Sequence, residues 1–457
     1  PQTTTTKICK SCSTPFEITP RELDFYKNHS PIINHIRHEL AHPTACPTCR
    51  QRKRMAWRNE RTLYKRKCDL TGKQIISSHP EGTPFPVYEY DEWWSDKWDP
   101  TDFALDIDFD RPFFEQFKTL VQSVPRLNLS NGFNENCDYV NYTNYSKDCY
   151  LLFGTHNSEK CTYSWRIHHC YDCHDCTQLD KCKHCYECID CDNCYDLLHS
   201  QDCQNCIESE YLDNCRSCQD CFLCVNLVHK QHHVLNRPYK PKEYKEKVKE
   251  LKTLALETTT LDTLTAKLEE LKLEHPRKAT NTINSQDCTG DYLLNCKNCQ
   301  NTYTGKECED CINLFIGENT TDCLDCDITG WPAELCYEGT STCVQAIYNY
   351  FSSLCWTCSD IYYCDSCFNS HDLFGCIGFK HNSYCILNRQ YSREEYFKLV
   401  PRLVSHMRTT SEWGEFFPIE ISPFPLKDTI AMDFCPPPQI SVQQNNDPAE
   451  KSTTPNL

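Results

Sequence analysis

Written twelve residues to a line, the stretch from Cys137 to Asp220 reads CDYVNYTNYSKD, CYLLFGTHNSEK, CTYSWRIHHCYD, CHDCTQLDKCKH, CYECIDCDNCYD, LLHSQDCQNCIE, SEYLDNCRSCQD. All 17 cysteines between Cys137 and Cys224 fall in one residue class modulo three. Random placement would scatter them over all three classes. Two columns run five deep: Cys137, Cys149, Cys161, Cys173 and Cys185, then Cys170, Cys182, Cys194, Cys206 and Cys218. A third column holds Cys191, Cys203 and Cys215. A fixed period with one residue type at fixed columns is the mark of a stacked repeat.

A twelve-residue repeat is a very short β-solenoid coil, with rungs stacked at roughly 4.8 Å. Its interior is too narrow for a large side chain at every inward site. Cysteine is small and apolar enough to fill it, and Ser158, Ser164 and Ser200 occupy related columns. Tyr150, Tyr163, Tyr186 and Phe222 lie beside the inward class and are expected outside. A coil of two rows, 24 residues long, is the alternative. One coil cannot bury a core alone, so the ends need caps. The stacked thiols have three readings: inert packing, ladder disulfides, or metal binding by a subset such as Cys182, Cys185, Cys191 and Cys194.

The repeat occurs twice. A shift of 152 residues places Cys203 on Cys355, Cys215 on Cys367 and Leu235-Asn236-Arg237 on Leu387-Asn388-Arg389. Further upstream the shift is 147, which points to an insertion near Gly330-Trp331-Pro332. Between the copies, Val248 and Leu251 fit one amphipathic helix, and Leu261, Leu264, Leu268 and Leu271 fit another. The spacing of Phe114, Phe117, Leu120 and Val121 predicts a helix leading into the first ladder as its cap. The expected fold is mainly β: an N-terminal zinc ribbon and two duplicated cysteine-ladder β-solenoids, with helical caps and a helical spacer. The boundaries read as 1–74 for ribbon and basic helix, 75–136 for an acidic linker and cap, and 137–237 for the first ladder. A spacer over 238–279, the second ladder over 280–391, a cap over 392–434 and a disordered tail over 435–457 complete the chain.

Near the start, Cys9-Lys10-Ser11-Cys12 and Cys46-Pro47-Thr48-Cys49 form two CxxC knuckles. Four such thiolates suit one tetrahedral zinc. Phe16, Ile18, Phe25, Tyr26 and Ile36 supply a small core between them. The pattern CxxCxxxFxIT, with Glu22, Phe25 and Tyr26 and then CPxCR, resembles the zinc-ribbon domain of many bacterial proteins over about fifty residues. The resemblance implies structural zinc and nothing catalytic. Cys68, in CDLTGK, stands alone as a spare thiol or the start of a second site.

The segment from Arg50 to Lys67 carries nine basic residues against Glu60. As a helix it would offer Arg50, Arg52, Lys53, Arg54, Arg58, Arg61, Lys65 and Arg66 to nucleic acid. The stretch from Glu89 to Asp110 holds nine acids, with Trp93, Trp94 and Trp98. The two stretches could pair with each other, or the basic one could be a solvated face.

The chain has 457 residues, 38 cysteines and a formal charge of −17, so bulk affinity for nucleic acid or an anionic membrane is not expected. No run approaches the roughly 18 apolar residues of a membrane span, and no secretory signal opens the sequence. A cytoplasmic setting and reduced or metal-bound thiols follow as expectations. His168-His169 and His232-His233 are adjacent pairs that a strand would point to opposite sides. None of the common nucleotide, hydrolase or metalloprotease motifs is present.

Beyond the ribbon, the run CPTCRQRKRMAWRNERTLYKRKCDLTGK, then WWSDKWDP, RPFFEQF, the cysteine ladder, LNRxY and EWGEFFPIEISPF, resembles a cysteine-rich family of bacteria with very small genomes. Members sometimes carry the name of a CoA-transferase family, which nothing in these residues supports. The resemblance covers about 430 residues and brings no activity with it. The functional expectation is a non-enzymatic zinc-binding scaffold presenting its ladders to a protein or RNA partner, with DNA not expected. The alternatives are a metal or thiol buffer and an enzyme of unrecognised class.

Overall fold

The computed structural model describes residues 4–177, 195–257, 262–297 and 347–437, with 299, 302–307, 311, 315–317, 324, 326–327 and 336–337 between the last two. Through the first cysteine region the strands pair in parallel. Tyr150 pairs with Thr162, Tyr195 with Ile207, Ile207 with Gln219 and Gln219 with Gln231. Each is a shift of twelve residues, not 24. In the second region, Ile347 pairs with Ser359, Ser359 with His371 and His371 with Ser383, again at twelve. Two registers depart from it: Thr282 with Leu293 at eleven and Cys336 with Asn349 at thirteen. The pairing also begins earlier than the cysteines do. Asn131 and Gly132 already pair with Thr143 and Asn144, so the first ladder opens ahead of Cys137 on polar residues. The region around Gly330-Trp331-Pro332 lies outside the described residues.

The class modulo three is the inward class. Val140, Thr143, Ser146, Cys149, Leu152, Thr155, Ser158, Cys161, Ser164, Ile167, Cys170, Cys173 and Cys176 are all buried. The residue before each inward one takes a left-handed conformation, as at Tyr139, Tyr142, Tyr145, Asp148 and Leu151, with φ near +53°. Asn and Asp are the non-glycine residues that most readily take such positions, yet here tyrosine and leucine share them. The backbone repays the strain: the Asp148 N–H donates to the Glu135 carbonyl, and the Leu151 N–H to that of Asp138.

One N–H per tripeptide has no backbone acceptor in this pattern, and an inward serine or cysteine side chain, where present, takes it. The Cys170 N–H donates to Ser158 Oγ and the Cys176 N–H to Ser164 Oγ. Cys221 does the same to Ser209, and Cys364 to Ser352. In the all-cysteine columns the N–H of Cys149 faces the Cys137 sulfur, and that of Cys367 faces Cys355. Each inward thiol in turn donates to a carbonyl, as Cys149 does to Lys147 at 3.1 Å. Cysteine is therefore chosen for two hydrogen-bonding roles as well as for its size.

Both ladders end the same way. Leu235-Asn236 and Leu387-Asn388 form left-handed pairs that turn the last strand back antiparallel. The Asn236 amide closes on both backbone groups of Val225, and Asn388 on those of Ile377. Two helices, Pro241–Glu257 and Asp262–Glu274, then cover the end of the first ladder. Their Tyr244, Leu251, Leu264 and Leu268 pack on Tyr211, Phe222 and Leu223. The helix Arg393–Thr409 covers the second.

The helix Phe113–Val121 forms as its spacing predicts, but it caps the other ladder. Phe113 lies 5.5 Å from both Tyr363 and Phe374. The distant carboxylate of Glu412 receives the N–H groups of Phe113 and Phe114 at 2.8 and 2.7 Å. The Trp-rich stretch also docks on the second ladder: Trp93, Trp94 and Trp98 surround Lys380 at 4.6, 5.6 and 4.9 Å. The largest apolar cluster joins these pieces to Trp57, Trp413, Phe416 and Phe417. Eight α-helices stand among the described residues, so the architecture is mixed rather than mainly β.

Candidate metal centre

The first knuckle closes a hairpin of Thr5–Ile8 and Pro15–Ile18. The second starts the helix Pro47–Met55, with Cys46 at its N-cap and Pro47 at the first position. Phe16 and Ile18 are buried beneath the knuckles, and Phe25 and Tyr26 join the main core. Ile36, expected in that core, is exposed at the tip of its own short hairpin.

These elements bring the sulfurs of Cys9, Cys12, Cys46 and Cys49 within 4.8 Å of one another. Cys12 and Cys46 are 3.7 Å apart, and the Cys46 N–H reaches Cys9 Sγ at 3.3 Å. Burial pushes the Cys9 thiol up, but the N–H groups of Cys46, Cys12 and Ser11 outweigh it and bring it down to about 6. Burial and the neighbouring sulfurs hold Cys49 well above the usual thiol range. Four sulfurs this close cannot all ionise unless a cation sits among them. Soft thiolates at paired CxxC spacing suit zinc or another thiophilic ion. Arg52 lies behind the set, 3.7 Å from Cys49 Sγ, and its guanidinium also donates to the carbonyls of Cys435 and Pro436.

Cys68 stands in a copy of the first knuckle. The hairpin Tyr64–Lys67 with Gln74–Ser77 repeats Thr5–Ile8 with Pro15–Ile18, residue for residue, 59 positions on. Ser13 and Gly72 both adopt positive φ and donate to the carbonyls of Cys9 and Cys68. Thr71 occupies the place of Cys12. The sequence signal was present but hidden, because the two hairpins share little beyond one cysteine.

The basic segment is not the surface helix its composition predicts. The helix ends at Met55, and Tyr64–Lys67 is a strand. Arg50, Arg54, Arg58 and Arg66 are buried. Arg50 donates to the Ala45 carbonyl and Arg66 to Asp69. Arg54 pairs with Asp327 at 2.5 Å, Arg58 with Glu60 at 2.5 Å, and Lys53 with Glu415 at 2.9 Å. Arg61 lies over the Trp165 ring. Lys65 is exposed on its strand. The neutralising acids are thus scattered along the chain, and Glu89–Asp110 pairs elsewhere, through Glu89 with Lys73 and Asp106 with Arg389. Glu60 is the hub: buried, it accepts from Arg58, Arg166 and Trp165, while the Asn141 side chain reaches the Asn59 and Glu60 carbonyls. The segment ties the two ladders together internally.

The set Cys182, Cys185, Cys191 and Cys194 lies outside the described residues. The ladder thiols that are described are buried, apart from the partly exposed Cys137 and Cys288. Burial pushes Cys355, Cys364 and Cys367 far up and Cys385 to about 12. These second-ladder thiols stay protonated, whereas metal ligation and disulfide exchange need the thiolate. In the first ladder, hydrogen bonds from neighbouring thiols pull Cys149, Cys218 and Cys224 down. His168 is half-buried, and the loss of solvent around its ring, with nearby His156 and Arg166, carries it down to about 3. No protein-family model matches the chain, and no curated protein matches it either.

Proposed function

We propose that this protein is a non-enzymatic scaffold: a zinc ribbon at the N-terminus and two cysteine-ladder β-solenoids that present their outer faces to a protein partner. One observation carries the metal part, the four-sulfur set of Cys9, Cys12, Cys46 and Cys49. The parallel twelve-residue registers support the solenoid reading. The resemblance to the cysteine-rich family of small-genome bacteria fits the same picture and adds no activity to it.

The thiol-buffer alternative is disfavoured because the ladder sulfurs are already used in backbone hydrogen bonds. RNA is disfavoured as partner because Arg54 and Arg58, central in the basic segment, are buried on internal acids. The polar cavity lined by His79, Arg126 and Asp365 has a volume of about 40 Å³, room for water only. A larger cleft of about 500 Å³, lined by Cys49, Arg52, Lys53 and Glu415, adjoins the four-sulfur set, and the enzyme alternative would have to use it. Among the described residues no helix is long and apolar enough to cross a membrane.

Native mass spectrometry with and without reductant is the test. One zinc per chain, with no mass change on reduction, is the expected result. Several zincs per chain would replace the scaffold with the buffer, and a metal-free chain would remove the ribbon.

A further inference from the structure

The outer face of the first ladder carries one constellation twice. Asp138, Tyr139, Tyr150 and Leu151 lie 72 residues, six repeats, before Glu210, Tyr211, Phe222 and Leu223. The backbone treats them alike. Asp138 pairs with Tyr150 as Glu210 pairs with Phe222. Tyr139, Leu151, Tyr211 and Leu223 all have φ near +53°. The rings meet edge to face in both, at 5.7 Å for Tyr139 and Tyr150 and 5.8 Å for Tyr211 and Phe222.

Their surroundings differ. Tyr211, Phe222 and Leu223 are buried under the two helices that follow the ladder. Lys252 from the first of these bonds Glu210 at 2.6 Å and lies 5.6 Å from the Phe222 ring centroid. A related aromatic set, Tyr362, Tyr363 and Phe374, stands 152 residues after Glu210, Tyr211 and Phe222, and it too is covered by helices. The upstream set has no such cover among the described residues. Tyr150 is 39% exposed, its neighbour Tyr163 is 58% exposed, and Asp138 is exposed.

We infer that Asp138, Tyr139, Tyr150, Leu151 and Tyr163 form a docking face for a helix of a partner protein, one with leucines on its inner side and a lysine placed to meet Asp138. The inference rests on the scaffold reading and names the kind of partner it serves. The chain itself supplies the template. Where it covers this constellation it uses an amphipathic helix, and where the acid is present it uses a lysine. The exposed set thus offers a helix the same edge-to-face aromatic pair, flanked by an acid and a leucine, that the covered set offers.

The test uses the full chain and a fluorescent peptide with the sequence of residues 241–257, read by anisotropy. Saturable binding is expected. Asp138→Lys and Tyr150→Ala should each weaken it about tenfold, and a Lys252→Glu peptide should regain affinity for the Asp138→Lys chain. Glu210→Lys should leave it unchanged, and thermal melts should show the upstream variants folded. Absence of binding, or binding indifferent to Asp138 and Tyr150, would overturn the inference. So would a dimer of the chain that Tyr150→Ala dissolves, which gives the face to a second copy. Binding that appears only after removal of residues 438–457 would give it to the chain's own end and overturn it equally. Zinc content is read separately, so failure here leaves the scaffold reading to its own experiment.

Discussion

Arg54 Nε lies 2.5 Å from Asp327 Oδ2, and both side chains are completely buried. The pair joins the helix of the second knuckle to the second ladder region, 273 residues away. Breaking a buried pair from one side strands the other charge. Arg54→Ala or Asp327→Ala should therefore cost about 3–5 kcal/mol in urea unfolding. The double variant with methionine and leucine should recover much of that loss.

Metal loss should not stay local. The helix Pro47–Met55 runs from Cys46 and Cys49 into Met55 and Ala56, which are packed on Ile430 and Ala431. Trp57 beyond it packs at a tilt on the Phe417 ring, with centroids 4.5 Å apart. Cys46→Ser is expected to release the bound metal, lower the melting temperature of the whole protein and raise hydrogen exchange in residues 413–435. Unchanged metal content in that variant would reject the ligand set.

Glu60 and two histidines predict how acid weakens the fold. Burial pushes the Glu60 carboxyl up, but Arg58, Arg166 and the Trp165 N–H outweigh it and hold it at about 2. Its contribution is present above the ordinary value near 4.5 and is lost as pH falls towards 2. Burial, with nearby positive groups, carries His79 and His168 down to about 3 from 6.5. Between those values the unfolded chain binds the proton and the folded one does not, so stability falls as pH falls. The slope should be roughly 1.4 kcal/mol per pH unit for each histidine. Chemical denaturation at pH 7 and pH 5 measures it, and His79→Asn should flatten the difference.

Asn236 and Asn388 close the two ladders. Asn388→Leu leaves the Ile377 N–H and carbonyl without their side-chain partners, and should cost about 1–3 kcal/mol. The matching change at Asn236 should weaken the first ladder by a similar amount. Exchange of the Ile377 and Val225 amides reports each end separately.

Ladder thiols should resist alkylation in the folded protein. Cys12, Cys46, Cys137 and Cys288 are the partly exposed cysteines among the described residues. Brief iodoacetamide treatment of the metal-loaded chain should label Cys137 and Cys288 first, with the knuckle pair protected. Rapid labelling at Cys364 or Cys367, both buried, would contradict the packing role.

The periodic parts were legible and the long-range ones were not. The class modulo three marked the inward residues because a repeat writes its geometry into every period. The paired CxxC spacing located the four sulfurs for the same local reason. Arg54, Arg58 and Lys53 looked like a surface because composition counts charges without knowing that Asp327 and Glu415 will arrive from far along the chain. Phe113–Val121 was placed on the wrong ladder because proximity to Cys137 in sequence stood in for contact. Its capping group, Glu412, is 299 residues away from Phe113. The helix break after Met55 carried no glycine or proline to announce it.

Where the inward residue of a ladder tripeptide is serine or cysteine, its side chain accepts the N–H that the backbone leaves over. Serine, as at Ser158 or Ser352, does this as well as cysteine. Sulfur and oxygen are thus synonyms at these positions, and an interior could drift from thiol-rich to hydroxyl-rich while keeping its shape. What selection would see is a small acceptor at those inward sites that aliphatic residues do not fill. The abundance of cysteine then records one spelling of a backbone rule, and relatives of this fold could be nearly free of sulfur.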